Sequence, residues 1–429
     1  MDMVDRTIAR GSEGQYRLLL EISQQISQTI DLQETLTHLL TVLRSVLEYD
    51  AAGIFVLNRN VPFGPAIGTN VIAGMATVGF EHIAEGNDPM LRSGRGIVGH
   101  VIRTGRPVVA PDVSRDPHYV VGRAQTQSEI AVPIINNLTV IGALNVESDR
   151  LAVFSADDLQ LLETFAVPAA ISIEKAVLHR QFVEKRLIEQ QLKTAHDVQA
   201  NLLPAHSPVL EGYDIAGLNL PAWDIGGDYF DYLPLADGRL GLVIADVSGK
   251  GVPAALLMAT FRAALRSEIR KKRSMAAVIR AVHGTLVEAM DTSRFVSTVY
   301  GILDPRSGTF TYVNCGHNPP LLLHAQGERE MLGSGMPALG MFGGEPIAPR
   351  IAHLGPGDTL LLYTDGVVEL NDPSGAEFGE TRLTRELSRL AARPAREIIG
   401  ALVEVTHAYA ERERYDDDFT LVVVKRQPA

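Results

Sequence analysis

The sequence has little of what secreted, membrane-spanning or nucleic-acid-binding proteins require. Its 429 residues include one cysteine, Cys315, which excludes a disulfide within the chain and a multi-cysteine metal cluster. The segment from Met1 to Gly14 is too polar for a signal peptide, and no apolar run is long enough to cross a bilayer. The net charge is −12, whereas a nucleic-acid-binding protein needs a positively charged surface. We therefore expect a cytoplasmic protein with no membrane span and no nucleic-acid partner.

The composition and length indicate a large globular protein. Hydrophobic residues make up 46% and charged residues 21% of the chain, which is ordinary for proteins with packed cores. A chain of 429 residues suggests two or three domains. The basic run Arg270–Arg273 is most simply the solvated end of a helix, and docking of an acidic partner is the alternative.

Short acidic motifs in the second half of the chain are its most informative feature. They read Gly226-Gly227-Asp228-Tyr229-Phe230-Asp231, Asp246-Val247-Ser248-Gly249-Lys250-Gly251, Tyr363-Thr364-Asp365-Gly366 and Asp416-Asp417-Asp418-Phe419-Thr420. Three of them adjoin apolar runs that are typical of buried strands: 240–245, 359–363 and 419–424.

Two interpretations of these motifs compete. Aspartate at a strand end often makes ordinary turns, because its side chain hydrogen-bonds the neighbouring backbone. Carboxylates at the tips of several central strands would instead meet in space and repel one another, so a divalent cation would hold them together. Turn chemistry explains any single motif, whereas the four together favour a metal site.

From about Ala195 to Val424 the sequence resembles the SpoIIE-type bacterial branch of the PPM phosphatases, which are metal-dependent protein serine/threonine phosphatases related to protein phosphatase 2C. The resemblance is carried by the four acidic motifs, by the continuation of the second to Val-Pro-Ala-Ala-Leu-Leu-Met-Ala, and by the segment Tyr312-Val-Asn-Cys-Gly-His-Asn-Pro-Pro. It implies an α/β/β/α sandwich with a centre of two Mn²⁺ or Mg²⁺ ions between the sheets.

The resemblance also implies roles for individual residues. Asp246 matches the carboxylate that bridges both ions, and Val247 would offer its backbone carbonyl to one of them. Asp365 and Asp417 match the carboxylates of the second ion, and Asp228 matches an acidic residue that reaches the other ion through water. Asp246 and Asp228 are thus the predicted catalytic residues. Oxygen ligands without cysteine or histidine suit Mg²⁺ or Mn²⁺, and the chemistry implied is two-metal hydrolysis of a phosphoester.

The sequence departs from eukaryotic relatives at two positions. They carry a histidine just after the bridging aspartate and an arginine that binds the phosphate, whereas this chain has Ser248 and no arginine at a matching spacing before Gly226. Ser248, Lys250 and His317 are the nearby candidates for contact with the phosphate or the leaving group. For His317, a structural role in a turn is the stronger interpretation.

The first half of the chain resembles a GAF sensory domain, from about Asp31 to Leu178. The resemblance is carried by the segment from Gly94 to Val113, by Ala131-Val-Pro-Ile-Ile, by Ile141-Gly-Ala-Leu-Asn-Val-Glu-Ser and by Phe154-Ser-Ala-Asp-Asp. Asn136-Asn137 signals a hairpin turn, and Ser155 with Asp158 predicts a capping box at the start of a long helix. The residues identify no regulatory ligand, and the domain has no cysteine to attach a bilin.

A polar helix is predicted to join the two domains, ending at Leu203-Pro204. Its partial heptad places Leu178, Lys185, Leu192 and Gln199 on one seam and Gln181, Ile188, Ala195 and Leu202 on the other. Seams that are only half apolar predict either a weak coiled coil, which we favour, or a helix packed on its own chain. The predicted organisation is an N-terminal helix (1–30), a GAF domain (31–178), a helical linker (179–204) and a phosphatase domain (205–429), paired into a homodimer by the flanking helices.

The fold class is therefore α+β, and the function implied is that of a sensor-regulated phosphatase. The usual target in the family is a phosphorylated STAS-type anti-anti-sigma factor, whose dephosphorylation frees a sigma factor. Two alternatives stay open: a GAF-regulated nucleotidyl cyclase, which is also a two-metal enzyme, and a catalytically silent pseudophosphatase scaffold. The cyclase needs two acidic motifs rather than four, and the complete aspartate set argues against the scaffold.

Overall fold

The computed structural model describes residues 31–57, 72–80 and 94–428, apart from positions 272, 292, 334, 342–345, 413 and 414. The chain divides into two compact units, Met1–Leu187 and Ile188–Ala429. This division falls inside the segment predicted as the linker. The helix predicted over 1–30 lies outside the described residues.

The first unit is built on a five-stranded antiparallel sheet with the strand order β2-β1-β5-β4-β3. Its strands are β1 (Ala51–Leu57), β2 (Ile72–Val78), β3 (Val108–Ala110), β4 (Ser128–Asn136) and β5 (Thr139–Ser148). Its helices are α1 (Leu32–Val46), α2 (Gly96–Thr104) and α3 (Ala156–Ala200), with a 3₁₀ turn at Val113–Arg115. Buried side chains of α1 and of the start of α3 form a core with one face of the sheet, and α2 packs on a second, smaller core.

The capping box predicted for α3 is confirmed, and α1 also begins with a side-chain cap. The Asp31 carboxylate accepts a hydrogen bond from the Glu34 amide (2.9 Å) at the start of α1. At the start of α3, the Ser155 amide donates to Asp158 (2.9 Å) and the Asp158 amide donates to the Ser155 hydroxyl (3.3 Å). This reciprocal pair is a capping box, which satisfies backbone groups that the first helical turn leaves unpaired.

Two predicted element ends are corrected by one to a few residues. The β4–β5 turn is centred on Asn137 and Leu138 rather than on Asn136-Asn137, because Asn136 still pairs with Thr139 across the strands. Both turn residues have positive φ (44° and 65°), as a two-residue hairpin connection requires. Helix α3 ends at Ala200, before Pro204, because the next residues tighten into a turn in which the Leu202 amide donates to the Gln199 carbonyl (2.8 Å).

The second unit contains two five-stranded sheets with the orders β13-β10-β9-β8-β7 and β12-β11-β14-β15-β6. The strands are β6 (Tyr213–Leu220), β7 (Tyr229–Pro234), β8 (Leu240–Val247), β9 (Val296–Asp304), β10 (Thr309–Cys315), β11 (Leu321–Leu323), β12 (Arg329–Met331), β13 (Arg350–His353), β14 (Thr359–Tyr363) and β15 (Phe419–Arg426). The helices are α4 (Val252–Arg270), α5 (Met275–Ala289), α6 (Asp365–Val368), α7 (Gly379–Leu390) and α8 (Ala395–Ala410).

Three hydrophobic cores order these elements into layers. One core lies between the sheets and takes side chains from β7 and β8 on one side and from β14 and β15 on the other. A second core joins the outer face of the β8 sheet to α4 and α5, and a third joins the outer face of the β14 sheet to α7 and α8. The predicted α/β/β/α sandwich is therefore confirmed.

No helix within the described ranges has both the length and the apolar character needed to cross a bilayer.

Candidate functional site

The four predicted aspartates lie at strand ends of both sheets in the second unit. Asp246 occupies the penultimate position of β8, and Asp228 immediately precedes β7 in the same sheet. Asp365 begins α6 two residues after β14, and Asp417 lies two residues before β15 in the opposite sheet. Since these sheets pack face to face, the four motifs approach one another across the sandwich.

Asp228 is the most enclosed of the four and is held from the opposite sheet. Its side chain is 2% exposed, and its Oδ2 accepts hydrogen bonds from the hydroxyls of Thr364 (2.8 Å) and Thr420 (2.5 Å). Both threonines flank predicted metal ligands, and the Thr364 hydroxyl also accepts from the Thr420 amide (3.1 Å). The sequence motifs contained these threonines, but their spacing gave no indication that both would bind one carboxylate.

The pKa values of the carboxylates are raised, which shows that the carboxylates lie close together and are buried. Burial, followed by the charges of Asp365 and Asp417, raises the pKa of Asp246 to about 7. Burial and the charges of Asp417 and Glu369 raise the pKa of Asp365 to about 6. Burial, assisted by the charge of Asp246, holds the pKa of Asp228 well above its usual range. These groups share a region with more negative charge than the protein neutralises.

Asp418 is a site residue that the sequence reasoning left without a role. Its Oδ2 accepts from the amides of Gly227 (2.5 Å) and Asp228 (3.3 Å), and its Oδ1 accepts from the amide of Ala222 (2.9 Å). Gly226 must be a glycine here, since a Cβ at that position would lie 2.4 Å from Asp418 Oδ2. Asp418 therefore fixes the loop that carries Asp228, whereas its neighbour Asp417 is left to face the other aspartates.

The second motif presents its backbone and its lysine to the same region. A Cβ on Gly227 would lie 2.8 Å from the carbonyl oxygen of Val247, so the missing side chain keeps this predicted ligand uncovered. The Lys250 ammonium contacts Asp417 Oδ2 (2.9 Å) and donates to the Asp416 carbonyl (2.8 Å). Lys250 is 44% exposed, which places a positive charge at the rim of the site.

The environments of Ser248 and His317 favour structural roles. The Ser248 hydroxyl accepts a hydrogen bond from the Phe295 amide (2.9 Å). His317 is 5% exposed, and its Nδ1 lies 2.6 Å from the Ser297 hydroxyl. Burial lowers the pKa of His317 to about 4, so its ring is uncharged at neutral pH and holds no extra proton for a leaving group.

Helix α3 reaches the Asp228 loop through a contact that contradicts the seam prediction. Gln199 is 9% exposed; its Nε2 donates to the Gly226 carbonyl (2.6 Å), and its Oε1 accepts from the Gly226 amide (3.1 Å). One turn earlier, His196 Nδ1 lies 2.7 Å from the Asp224 carbonyl oxygen. Gln199 is thus engaged by its own chain and is not an exposed seam residue.

The donor set fits hard divalent cations. Asp228, Asp246, Asp365, Asp417 and the Val247 carbonyl provide oxygen only, and the raised pKa values of Asp228, Asp246 and Asp365 show a deficit of positive charge. Within the described residues, no three acidic, histidine or cysteine side chains already enclose an ion position. Ion binding would therefore draw the carboxylates inward, together with water or substrate oxygens, as Mg²⁺ sites commonly require.

We predict that Gln199→Leu lowers the free energy of unfolding by about 1–3 kcal/mol, because it leaves the buried Gly226 amide and carbonyl without partners. Chemical denaturation of the full chain measures the change. Gln190→Leu, at an exposed position of the same helix, is the matched control and should alter stability by less than about 0.5 kcal/mol. Equal stabilities of the two variants would contradict the proposed contact.

A second prediction concerns the metal-free protein. Because the folded-state pKa values of Asp246 (about 7) and Asp365 (about 6) exceed those of the unfolded chain, the folded state binds protons more tightly. Stability should therefore fall as pH rises through 6–7 and increase as pH decreases below that window. Thermal unfolding in chelator at pH 6 and pH 8 measures this. Asp246→Asn should flatten the dependence, and the exposed control Asp237→Asn should not; the same slope in both variants would refute the assignment.

Comparisons with known proteins agree with this architecture. Residues 31–173 match the GAF domain family, and residues 236–427 match the family described as Stage II sporulation protein E (SpoIIE). Protein IcfG of Synechocystis sp. is 29% identical over 263 residues, which cover 55% of this chain and 41% of IcfG. The chain therefore matches less than half the length of that relative.

A second relative and a solved structure each resemble somewhat more than half of the chain. The phosphoserine phosphatase RsbU of Bacillus subtilis is 26% identical over 242 residues, covering 56% of this chain and 71% of RsbU. The SiaA-PP2C domain of Pseudomonas aeruginosa superposes with a TM-score of 0.50 at 24% identity, covering 57% of this chain and 98% of that domain, which supports the fold. Together with the two layered units and the converging aspartates, these matches show that the chain joins a GAF domain to a SpoIIE-type PPM phosphatase domain.

Proposed function

We propose that this chain is a metal-dependent phosphatase that removes phosphate from serine or threonine of a regulatory protein under control of its GAF domain. The observation that carries the proposal is the convergence of acidic strand ends from both sheets, where burial and neighbouring carboxylates raise the pKa values of Asp246 and Asp365, inside a SpoIIE-type domain. The similarity to a phosphoserine phosphatase supports the reaction. The SpoIIE match disfavours the nucleotidyl cyclase alternative.

The proposed centre binds two Mn²⁺ or Mg²⁺ ions. The residues that would hold them are Asp228, Asp246, Val247 through its carbonyl, Asp365 and Asp417. When bound, such ions activate water and offset negative charge on the phosphoryl oxygens. Asp418 and Gln199 would position the Asp228 loop, and the Lys250 ammonium at the rim would attract the phosphate group.

The proposed substrate is a phosphorylated STAS-type anti-anti-sigma factor in a cytoplasmic partner-switching pathway. This follows from the SpoIIE-type resemblance of the catalytic half. The proposed assembly is a homodimer through the flanking helices. Exposed apolar side chains along α3 support it, including Leu178 (57% exposed), Phe182 (56%) and Ile188 (56%).

We predict that hydrolysis of a phosphoester by the full chain requires added Mn²⁺ or Mg²⁺ and is abolished by a chelator. Asp246→Ala should lower kcat/KM on the order of a hundredfold or more, because metal assistance contributes several kcal/mol. Asp228→Ala should cost less, since its predicted contact with the ion runs through water. Asp237→Asn, an exposed acid in the same unit, should retain parental activity. Undiminished activity of Asp246→Ala would exclude this site, and an inactive parent with every metal would favour the pseudophosphatase scaffold.

We further predict that the enzyme prefers a folded phosphoprotein to the same phosphoserine in a short peptide. With no arginine at the matching position to bind phosphate, affinity must come from contacts outside the phosphate, and such contacts raise kcat/KM. The measurement compares kcat/KM for a phosphorylated STAS protein and for its own phosphopeptide, and we expect a difference of roughly tenfold or more. Equal values would show that the site recognises the phosphate alone.

A further inference from the structure

The GAF unit contains a second group of buried acids, far in the sequence from the phosphatase motifs. Glu129 on β4 and Glu147 on β5 are 3% and 5% exposed and lie directly opposite each other in the strand register. Like charges in this arrangement destabilise a sheet. Burial and the charge of Glu147 raise the pKa of Glu129 to about 8, and burial also raises the pKa of Glu147.

The described residues bring too little positive charge to this pair. Arg123 lowers the pKa of Glu147, but its guanidinium is already bound to both carboxylate oxygens of Asp149. Glu147 otherwise accepts from the Thr126 hydroxyl (2.5 Å), and the Asn145 amide nitrogen donates to Glu129 (3.0 Å) and Glu147 (3.3 Å). These neutral donors leave the charge of the pair largely uncompensated.

Asn145 supplies an independent indication of a ligand. Its side chain is 2% exposed, yet its Oδ1 has no hydrogen-bond partner among the described residues. Leaving a buried carbonyl oxygen unpaired costs about 1–3 kcal/mol. The oxygen lies beside Gly53, where a Cβ would come within 3.1 Å of it, and the Phe55 ring covers the same glycine. This acceptor therefore lies next to the acid pair and beside the Phe55 ring.

The sheet face around these groups has small side chains. Alternate residues of a strand share one face, so Ala131 of β4, Ala143 of β5 and Gly53 of β1 lie on the face that carries Glu129 and Glu147. Ala131, Ala143 and Phe55 belong to the smaller core under α2. This face therefore combines small apolar side chains with three hydrogen-bond acceptor groups, which is a composition typical of small-molecule sites.

We propose that Glu129, Glu147 and the Oδ1 of Asn145 bind a small organic cation, an amine or a guanidine, and that this ligand occupies the GAF domain. Such a cation brings N–H donors and positive charge together, which are the two things the site lacks. A metal ion fits less well, because the Asn145 amide nitrogen donates to both carboxylates and its hydrogens lie between them. This inference is independent of the phosphatase activity.

Isothermal titration calorimetry on the full chain tests the proposal with putrescine, agmatine and arginine as probes. Neutral 1,4-butanediol controls for shape, and MgCl₂ controls for a metal. At least one of the three cations should bind the parent protein. Glu129→Gln should weaken that binding roughly tenfold or more, because a hydrogen bond to a charged group is lost. Glu163→Gln, an exposed acid on α3 of the same unit, should leave the affinity unchanged.

The variants are expected to fold, since Glu129→Gln removes repulsion between opposed acids, and thermal unfolding should show a midpoint at or above that of the parent. Glu147→Gln provides a second variant with the same expectation. Failure of all three cations to bind the parent would overturn the proposal. So would equal affinity in Glu129→Gln, binding of butanediol as tight as that of putrescine, or an MgCl₂ response that Glu129→Gln weakens, since Mg²⁺ bound at the phosphatase site would not depend on Glu129.

Discussion

The arrangement of the phosphatase domain depends on one electrostatic constraint: several carboxylates are confined between two hydrophobic sheets, and the Lys250 ammonium contacts one of them, Asp417. Strand ends of opposite sheets can meet only where the sandwich closes. There burial and the charges of Asp365 and Asp417 raise the pKa of Asp246, and burial and the charge of Asp417 raise the pKa of Asp365. Removing charge from water is costly, so the protein needs either protons or cations at this place. Hydrolysis assisted by bound cations is a function that uses such buried carboxylates, because they bind the cations.

The surrounding hydrogen bonds keep this region ordered despite its charge. Hydrogen bonds from the hydroxyls of Thr364 and Thr420 offset part of the free-energy cost of burying Asp228. Backbone amides of the loop that carries Asp228 donate hydrogen bonds to Asp418. Because Gln199 holds both polar groups of Gly226, the end of α3 and the acidic loop form one hydrogen-bonded assembly. Gln199 therefore ties the end of α3 to the loop that carries Asp228.

The GAF unit applies the same physics with a different outcome. Glu129 and Glu147 are also opposed, buried and short of positive charge. Their neighbour, however, is Asn145, whose side-chain carbonyl oxygen lies beside the Phe55 ring and has no hydrogen-bond partner among the described residues. The phosphatase site has further carboxylates and a backbone carbonyl instead. Several carboxylates converging from separate strands suit a compact inorganic ion, while two carboxylates and an amide beside apolar surface suit an extended cation with N–H donors.

Local patterns in the sequence determined the strands that carry Asp246 and Asp365 and the caps at Asp31 and Ser155, because each depends on neighbours a few residues apart. The layered fold was implied by the family resemblance instead. Which of three consecutive aspartates would face the site was also indicated by the family motif. The use of Asp418 to hold backbone amides, the two threonines on Asp228 and the burial of Gln199 were decided by tertiary structure alone. These contacts join residues up to 196 positions apart, and a heptad pattern cannot distinguish a glutamine facing a partner helix from one that binds its own chain.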